Sequence, residues 1–126
     1  MTAAGAQGRS EGRTGLQAEE LLVLERQLAA EGAPAYVELL HQEALLVVPG
    51  AVLDRSRCID AIAASPGWDD IDLAPLWYFR NGRSAVHTYR FTGRRGGETY
   101  RAVMSSSWVD TPEGARLIHH QQTPER

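Results

Sequence analysis

Three histidines, His87, His119 and His120, are the side chains of this 126-residue sequence best suited to moving a proton near neutral pH. They lie in apolar runs of the C-terminal half. The interiors of residues 85–92, 100–109 and 117–122 contain no Asp or Glu, and Glu98 and Asp110 stand only at the ends. Proton transfer within these runs would therefore fall to a histidine. His119 and His120 are chain neighbours, so on a strand they point to opposite faces and cannot chelate one ion together. No metal site and no cofactor are expected. Parity groups His119 with Ala115 and Leu117, which turns it inward. His87 shares a face with Ala85, Tyr89 and Phe91, and its plainer reading is a core histidine bonded to a backbone carbonyl. Around the histidines, Trp77, Tyr89, Met104, Ser106, Trp108 and Gln121 form a candidate ligand-binding set, with Tyr89, Ser106 and Gln121 as polar donors. Asp69, Asp70 and Asp72 follow Pro66-Gly67 and read as the solvated start of a strand. Arg94-Arg95 reads as a loop charge pair.

The elements that must position these residues are punctuated by turns. Asn81-Gly82 separates two runs rich in aromatic and β-branched residues, which predicts a tight hairpin. Arg95-Gly96-Gly97 and the stretch from Asp110 to Gly114 predict two more, so the second half is a four-strand meander. Ile71, Leu73, Trp77 and Phe79 share one alternation in its first strand, and Pro75, which has no N–H to give a ladder, predicts a bulge or an edge there. Ahead of the meander, Thr14 with Gln17 predicts a capped helix over residues 16–31, with Leu21, Leu24 and Leu28 on its apolar side and Glu19, Glu20, Glu25 and Arg26 mostly toward water. A short second helix begins near Pro34. Residues 44–48 and 51–53 predict a small hairpin about Pro49-Gly50, and Asp54 is placed to cap a third helix over 55–64. Residues 1–13 lack apolar periodicity and the hydrophobic centre of a signal peptide, so they predict a disordered tail before a single domain over 14–126.

This order of elements, with the strings Val52-Leu53-Asp54-Arg55, Thr88-Tyr89-Arg90, Ser106-Ser107-Trp108 and His120-Gln121-Gln122-Thr123-Pro124, resembles the nuclear transport factor 2-like superfamily. Within it, the chain is similar to small bacterial domains of unknown function related to the ketosteroid isomerases and polyketide cyclases, the SnoaL-like proteins. The resemblance implies an α+β cone of the cystatin-like type, in which three N-terminal helices pack on a curved, mainly antiparallel sheet. It also implies a pocket at the open end and a homodimer through the outer sheet face. The isomerases of this superfamily carry a carboxylate base on the strand after the second helix; the matching position here falls near Val48, and no carboxylate stands there. The closing His-Gln-Gln-Thr-Pro string directs attention to His120 where parity favours His119, and both remain candidates.

Composition narrows the partners. All thirteen basic residues are Arg, yet the net charge is −3, which argues against a nucleic-acid partner. No apolar run is long enough to span a membrane, and the single Cys58 cannot form an intrachain disulfide, so a cytoplasmic protein is expected. Three functions follow: a small-molecule-binding protein with a mostly apolar pocket; a histidine-dependent isomerase, cyclase or dehydratase acting on a small apolar carbonyl compound; and a dimerising accessory domain with a filled cone. Whether the chain is an enzyme stays open at this point.

Overall fold

Two adjacent glycines with positive φ, Gly96 (57°) and Gly97 (85°), close the hairpin that sets the register of the longest strands. The computed structural model describes residues 15–125. In chain order the elements are α1 (Ala18–Glu31), α2 (Ala33–Leu39), β1 (Leu40–Val48), β2 (Ala51–Asp54), α3 (Arg55–Ala63), β3 (Asp70–Asn81), β4 (Ser84–Arg95), β5 (Glu98–Thr111) and β6 (Gly114–Pro124). Three helices pack on a six-stranded sheet of order β2-β1-β6-β5-β4-β3, in which β1 and β6 run parallel and all other neighbours antiparallel. The expected α+β architecture with its four-strand meander is present. The expected tail over 1–13 and the Thr14 cap fall outside the described residues.

Helix α1 starts at Ala18 rather than Leu16, because the Gln17 N–H donates to Glu20 Oε1 at 3.2 Å and closes the first turn there. Leu16 stays outside the helix, fully buried, and its carbonyl accepts the Tyr78 hydroxyl at 2.5 Å. The buried side of α1 is Leu21, Glu25 and Leu28, spaced i, i+4, i+7. Glu25 therefore does not face water as its residue type suggested; it lies on the apolar stripe and is only 3% exposed. Helix α3 is capped as expected, with Asp54 accepting from the Arg57 N–H at 2.9 Å.

Two bulges bend the sheet. In β3, Pro75 pairs Tyr89 and Trp77 pairs Thr88, which leaves Leu76 as an extra residue. The extra residue reverses the alternation, so Leu73 and Tyr78 face the helices while Trp77 and Phe79 face away, 55% and 54% exposed. In β6, Leu117 pairs Trp108 and His119 pairs Ser107, with Ile118 extra. Here too the phase changes: Leu117 and His120 are buried, and His119 is turned to the other side. The core lies between the inner sheet face and α1 to α3, centred on Trp108, Leu117, Leu21 and Leu28. Leu73, Tyr89, Phe91, Ala102 and Met104 form a second cluster, with Trp68, Ile71 and Tyr100 packed against it.

Candidate functional site

The inner faces of β4, β5 and β6, together with α1, α2 and the segment after α3, enclose a cavity of about 810 Å³. That volume falls within the range of small-molecule sites. Its walls are largely apolar, with Met104, Phe91, Leu28 and Ile62 among them, and Glu25, Tyr89 and His120 bring buried polar groups to it. A second depression of about 670 Å³ lies near the turns of β4 to β6 and is lined by Arg83, Asp110 and Glu113. It holds no buried titratable side chain, so the chemistry belongs to the first.

At the base of the cone Glu25 reaches across from α1 to the sheet. Tyr89 donates its hydroxyl to Glu25 Oε1 at 2.6 Å, and the Trp108 indole donates Nε1–H to Oε2 at 2.8 Å. Burial pushes the Glu25 carboxyl above the ordinary carboxylate range, and the Tyr89, Ser106 and Trp108 hydrogen bonds pull in the other direction. Burial also raises Tyr89 well above the usual phenol value, with the Glu25 charge adding to it. Next to this pair, Ser106 Oγ and His120 Nδ1 are 2.8 Å apart, both residues buried. Burial, helped by His119, lowers His120 to about 4, so it is a neutral imidazole at pH 7. Among the described residues Nε2 of His120 makes no hydrogen bond, and His120 lines the cavity.

The mouth is built by aromatic packing. Trp68 stacks on Tyr100 at 5.9 Å and meets the edge of Phe91 at 5.3 Å. The Arg95 guanidinium lies 4.0 Å over the Trp68 ring and donates to the carbonyls of Pro66 (2.8 Å) and Gly67 (2.9 Å). Arg95 is thus a clamp on the segment carrying Trp68. The neighbouring charges do stay at the surface, Asp70 pairing with Arg94 at 2.8 Å and Asp69 accepting the Gly96 N–H. Gly93 makes room for the ring, since a Cβ there would sit 2.6 Å from Trp68.

Of the residues singled out from the sequence, the structure brings together Tyr89, Met104 and His120 on the cavity wall, with Ser106 and Trp108 buried behind them. His119 lies on the far face, its Nδ1 at 3.0 Å from the Leu45 carbonyl oxygen. Gln121 is exposed, and the bulge at Ile118 puts Gln122 in its place on the cavity side, where it donates to the Tyr100 hydroxyl at 2.5 Å. Trp77 is outside, stacked on Phe79 at 6.1 Å. His87 is buried beside Tyr89, ring centres 5.5 Å apart, as a core histidine would be; its Nδ1, however, has no partner, so the expected carbonyl bond is not made there. The strand interiors carry no Asp or Glu, yet the cone does receive a carboxyl, because α1 supplies Glu25 where the sequence pointed to water. Among the described residues, no cluster of three or more His, Cys, Asp or Glu could hold a metal.

No protein-family model matches the chain, and no curated protein sequence does. Solved structures match it in shape. A ketosteroid isomerase candidate from Parabacteroides distasonis superposes with a TM-score of 0.76 at 16% identity, covering 86% of this chain and 88% of that one. A nuclear transport factor 2-like protein of unknown function from Prochlorococcus marinus gives 0.73 at 13% identity, over 86% and 92%. Another, from Rhodospirillum rubrum, described as of unknown function in nutrient uptake, gives 0.69 at 18%, over 84% and 98%. With its helices on an open, curved six-stranded sheet, this chain has the nuclear transport factor 2-like fold.

Proposed function

We propose that this protein binds a small, mostly apolar molecule in the cone, with its polar group toward the buried Glu25, Tyr89 and His120. The observation that carries this reading is the combination of a mostly apolar cavity of about 810 Å³ with a few buried polar groups in its wall, Glu25, Tyr89 and His120. The open volume favours it over an accessory domain with a filled cone. The test is a thermal-shift screen of steroid-like, polyketide-like and short acyl compounds against the wild type and Met104→Trp, which fills the cavity. The expected result is a stabilised wild type and an unresponsive variant. A broad panel that stabilises neither sinks the proposal.

A second reading, an acid–base enzyme acting on a carbonyl compound, draws on one specific observation: a carboxyl with a raised pKa and an imidazole with a lowered one line the same cavity. The likeness to a ketosteroid isomerase candidate is in keeping with it. Here the histidine base is His120, and because burial holds it near 4, its activity should persist through pH 5, well below the ordinary histidine range. Loss of turnover already at pH 6 would count against His120 as the base. We further propose a homodimer through the outer sheet face, where Leu76, Trp77 and Phe79 are about half exposed beside Val86 and Val103. A cytoplasmic location is proposed with it: Cys58 has no second cysteine to pair with, and burial raises its thiol to about 11.

A further inference from the structure

Arg95 is held firmly, yet part of its hydrogen-bonding capacity and all of its charge are unused. The guanidinium lies 4.0 Å over the Trp68 ring, while Nε and Nη2 donate to the carbonyls of Gly67 and Pro66. A guanidinium has further N–H donors, and Nη1 makes no hydrogen bond among the described residues. The charge has no counter-ion either. Arg94 next to it pairs with Asp70, and Asp69 is taken by the Gly96 N–H, but no carboxylate among the described residues pairs with Arg95. Arg95 nevertheless lines the cavity, together with Trp68, Phe91 and Tyr100. The acidic side chains of that lining are Glu25 and Glu31. Glu25 is buried and held by Tyr89 and Trp108, whereas Glu31 is exposed and accepts from Gln27 of its own helix at 3.4 Å. With His120 neutral, Arg95 is the one fixed cation in the lining.

We infer that the cone takes an apolar carboxylic acid, whose ionised carboxylate meets the unused donors of Arg95 while its apolar body lies along Phe91, Met104 and Leu28. This rests on the ligand-binding reading and names its ligand class. Nη1 and the remaining Nη2 hydrogen suit the two oxygens of a carboxylate, and an Arg keeps its charge when partly buried. The Trp68 ring and the two carbonyls hold the guanidinium before any ligand arrives, so little side-chain freedom is lost on binding. A carboxylate placed beside Glu25 would instead meet a second acid and no cation. Any further polar group of the ligand then faces Glu25, Tyr89 and His120.

The experiment compares two probes of one shape, naphthylacetic acid and naphthylacetamide, by calorimetry at neutral pH. The wild type is expected to bind the acid about tenfold more tightly than the amide, the worth of one charge-assisted hydrogen bond. In Arg95→Gln the ratio of the two affinities should fall to about one. The ratio separates recognition from support: if Arg95 only props up the Trp68 segment, its loss weakens both probes alike and the tenfold ratio survives, which overturns the inference. Should Arg95→Gln fail to fold, the wild type with 15N-labelled arginine decides. The acid is expected to slow exchange of the Arg95 Nη hydrogens with water and the amide to leave it faster; equal exchange with both probes overturns the inference. An amide that binds as well as the acid ends the acid preference and leaves the ligand-binding reading standing. Failure of both probes, together with a broad screen in which nothing stabilises the protein, ends the two together.

Discussion

Glu25 is held by donors rather than by a cation: the ion pairs among the described residues, Arg90 with Glu125 and Arg94 with Asp70, are elsewhere on the surface. Replacing it with Leu strands two buried donors, and each such orphan costs about 1–3 kcal/mol. Glu25→Leu is therefore expected to lose about 2 kcal/mol or more in denaturant unfolding. The tell-tale result is a cycle in which Tyr89→Phe costs less in the Glu25→Leu background than in the wild type. His120 makes a pH prediction. Its folded pKa lies below its unfolded one, so its stabilisation is full above about pH 6.5 and drains away as the pH falls toward 4. The size is on the order of 3 kcal/mol. Glu25, raised by burial, works in the opposite sense, and His87 in the same sense as His120. The difference curve between wild type and His120→Gln isolates the His120 part; a flat difference from pH 7 to pH 4 would refute it. The residue types of the site were legible: Tyr89, Ser106, Trp108 and His120 are polar-tipped groups on strands that must bury one face. Glu25 was hidden by its charge. Its position four after Leu21 and three before Leu28 put it on the apolar stripe, and that spacing was the available signal.

At the scale of elements, Gly93 and Trp68 depend on each other. A Cβ at position 93 would come within 2.6 Å of the Trp68 ring and 2.8 Å of Phe91, and neither backbone-anchored ring can yield freely inside its stack. Gly93→Ala should lower stability by about 1–3 kcal/mol, measured by chemical unfolding, and should weaken ligand binding at the cavity mouth. A neutral result would mean that Trp68 is seated less tightly than its contacts indicate. The strands themselves were readable because Gly and Pro punctuate every hairpin. Their phase was not. Pro75 does announce a bulge, yet the alternation of Ile71, Leu73, Trp77 and Phe79 runs unbroken in the sequence and points Trp77 to the wrong face. In β6 nothing marks Ile118, since neither Gly nor Pro stands there, and a bulge made of ordinary residues is set by pairing with Ser107 and Trp108 across the sheet.

For the whole molecule, the proposed dimer gives a mass prediction. The wild type should run at twice 13.8 kDa in light scattering at micromolar protein, and Trp77→Glu with Phe79→Glu should run as a monomer with little change in melting temperature, both side chains being about half exposed in the single chain. A wild-type monomer at that concentration would end the proposal. The cone also constrains how the gene can change length. Because Ile118 pairs with nothing in β5, loss of its codon would straighten β6 while leaving Leu117 and His120 on the side they now occupy. Loss of a codon at Gln121 would instead turn everything after it inside out, carrying Gln122 away from the cavity. A strand that looks uniformly intolerant of deletion thus contains one site where a residue can vanish and the chemistry keep its place.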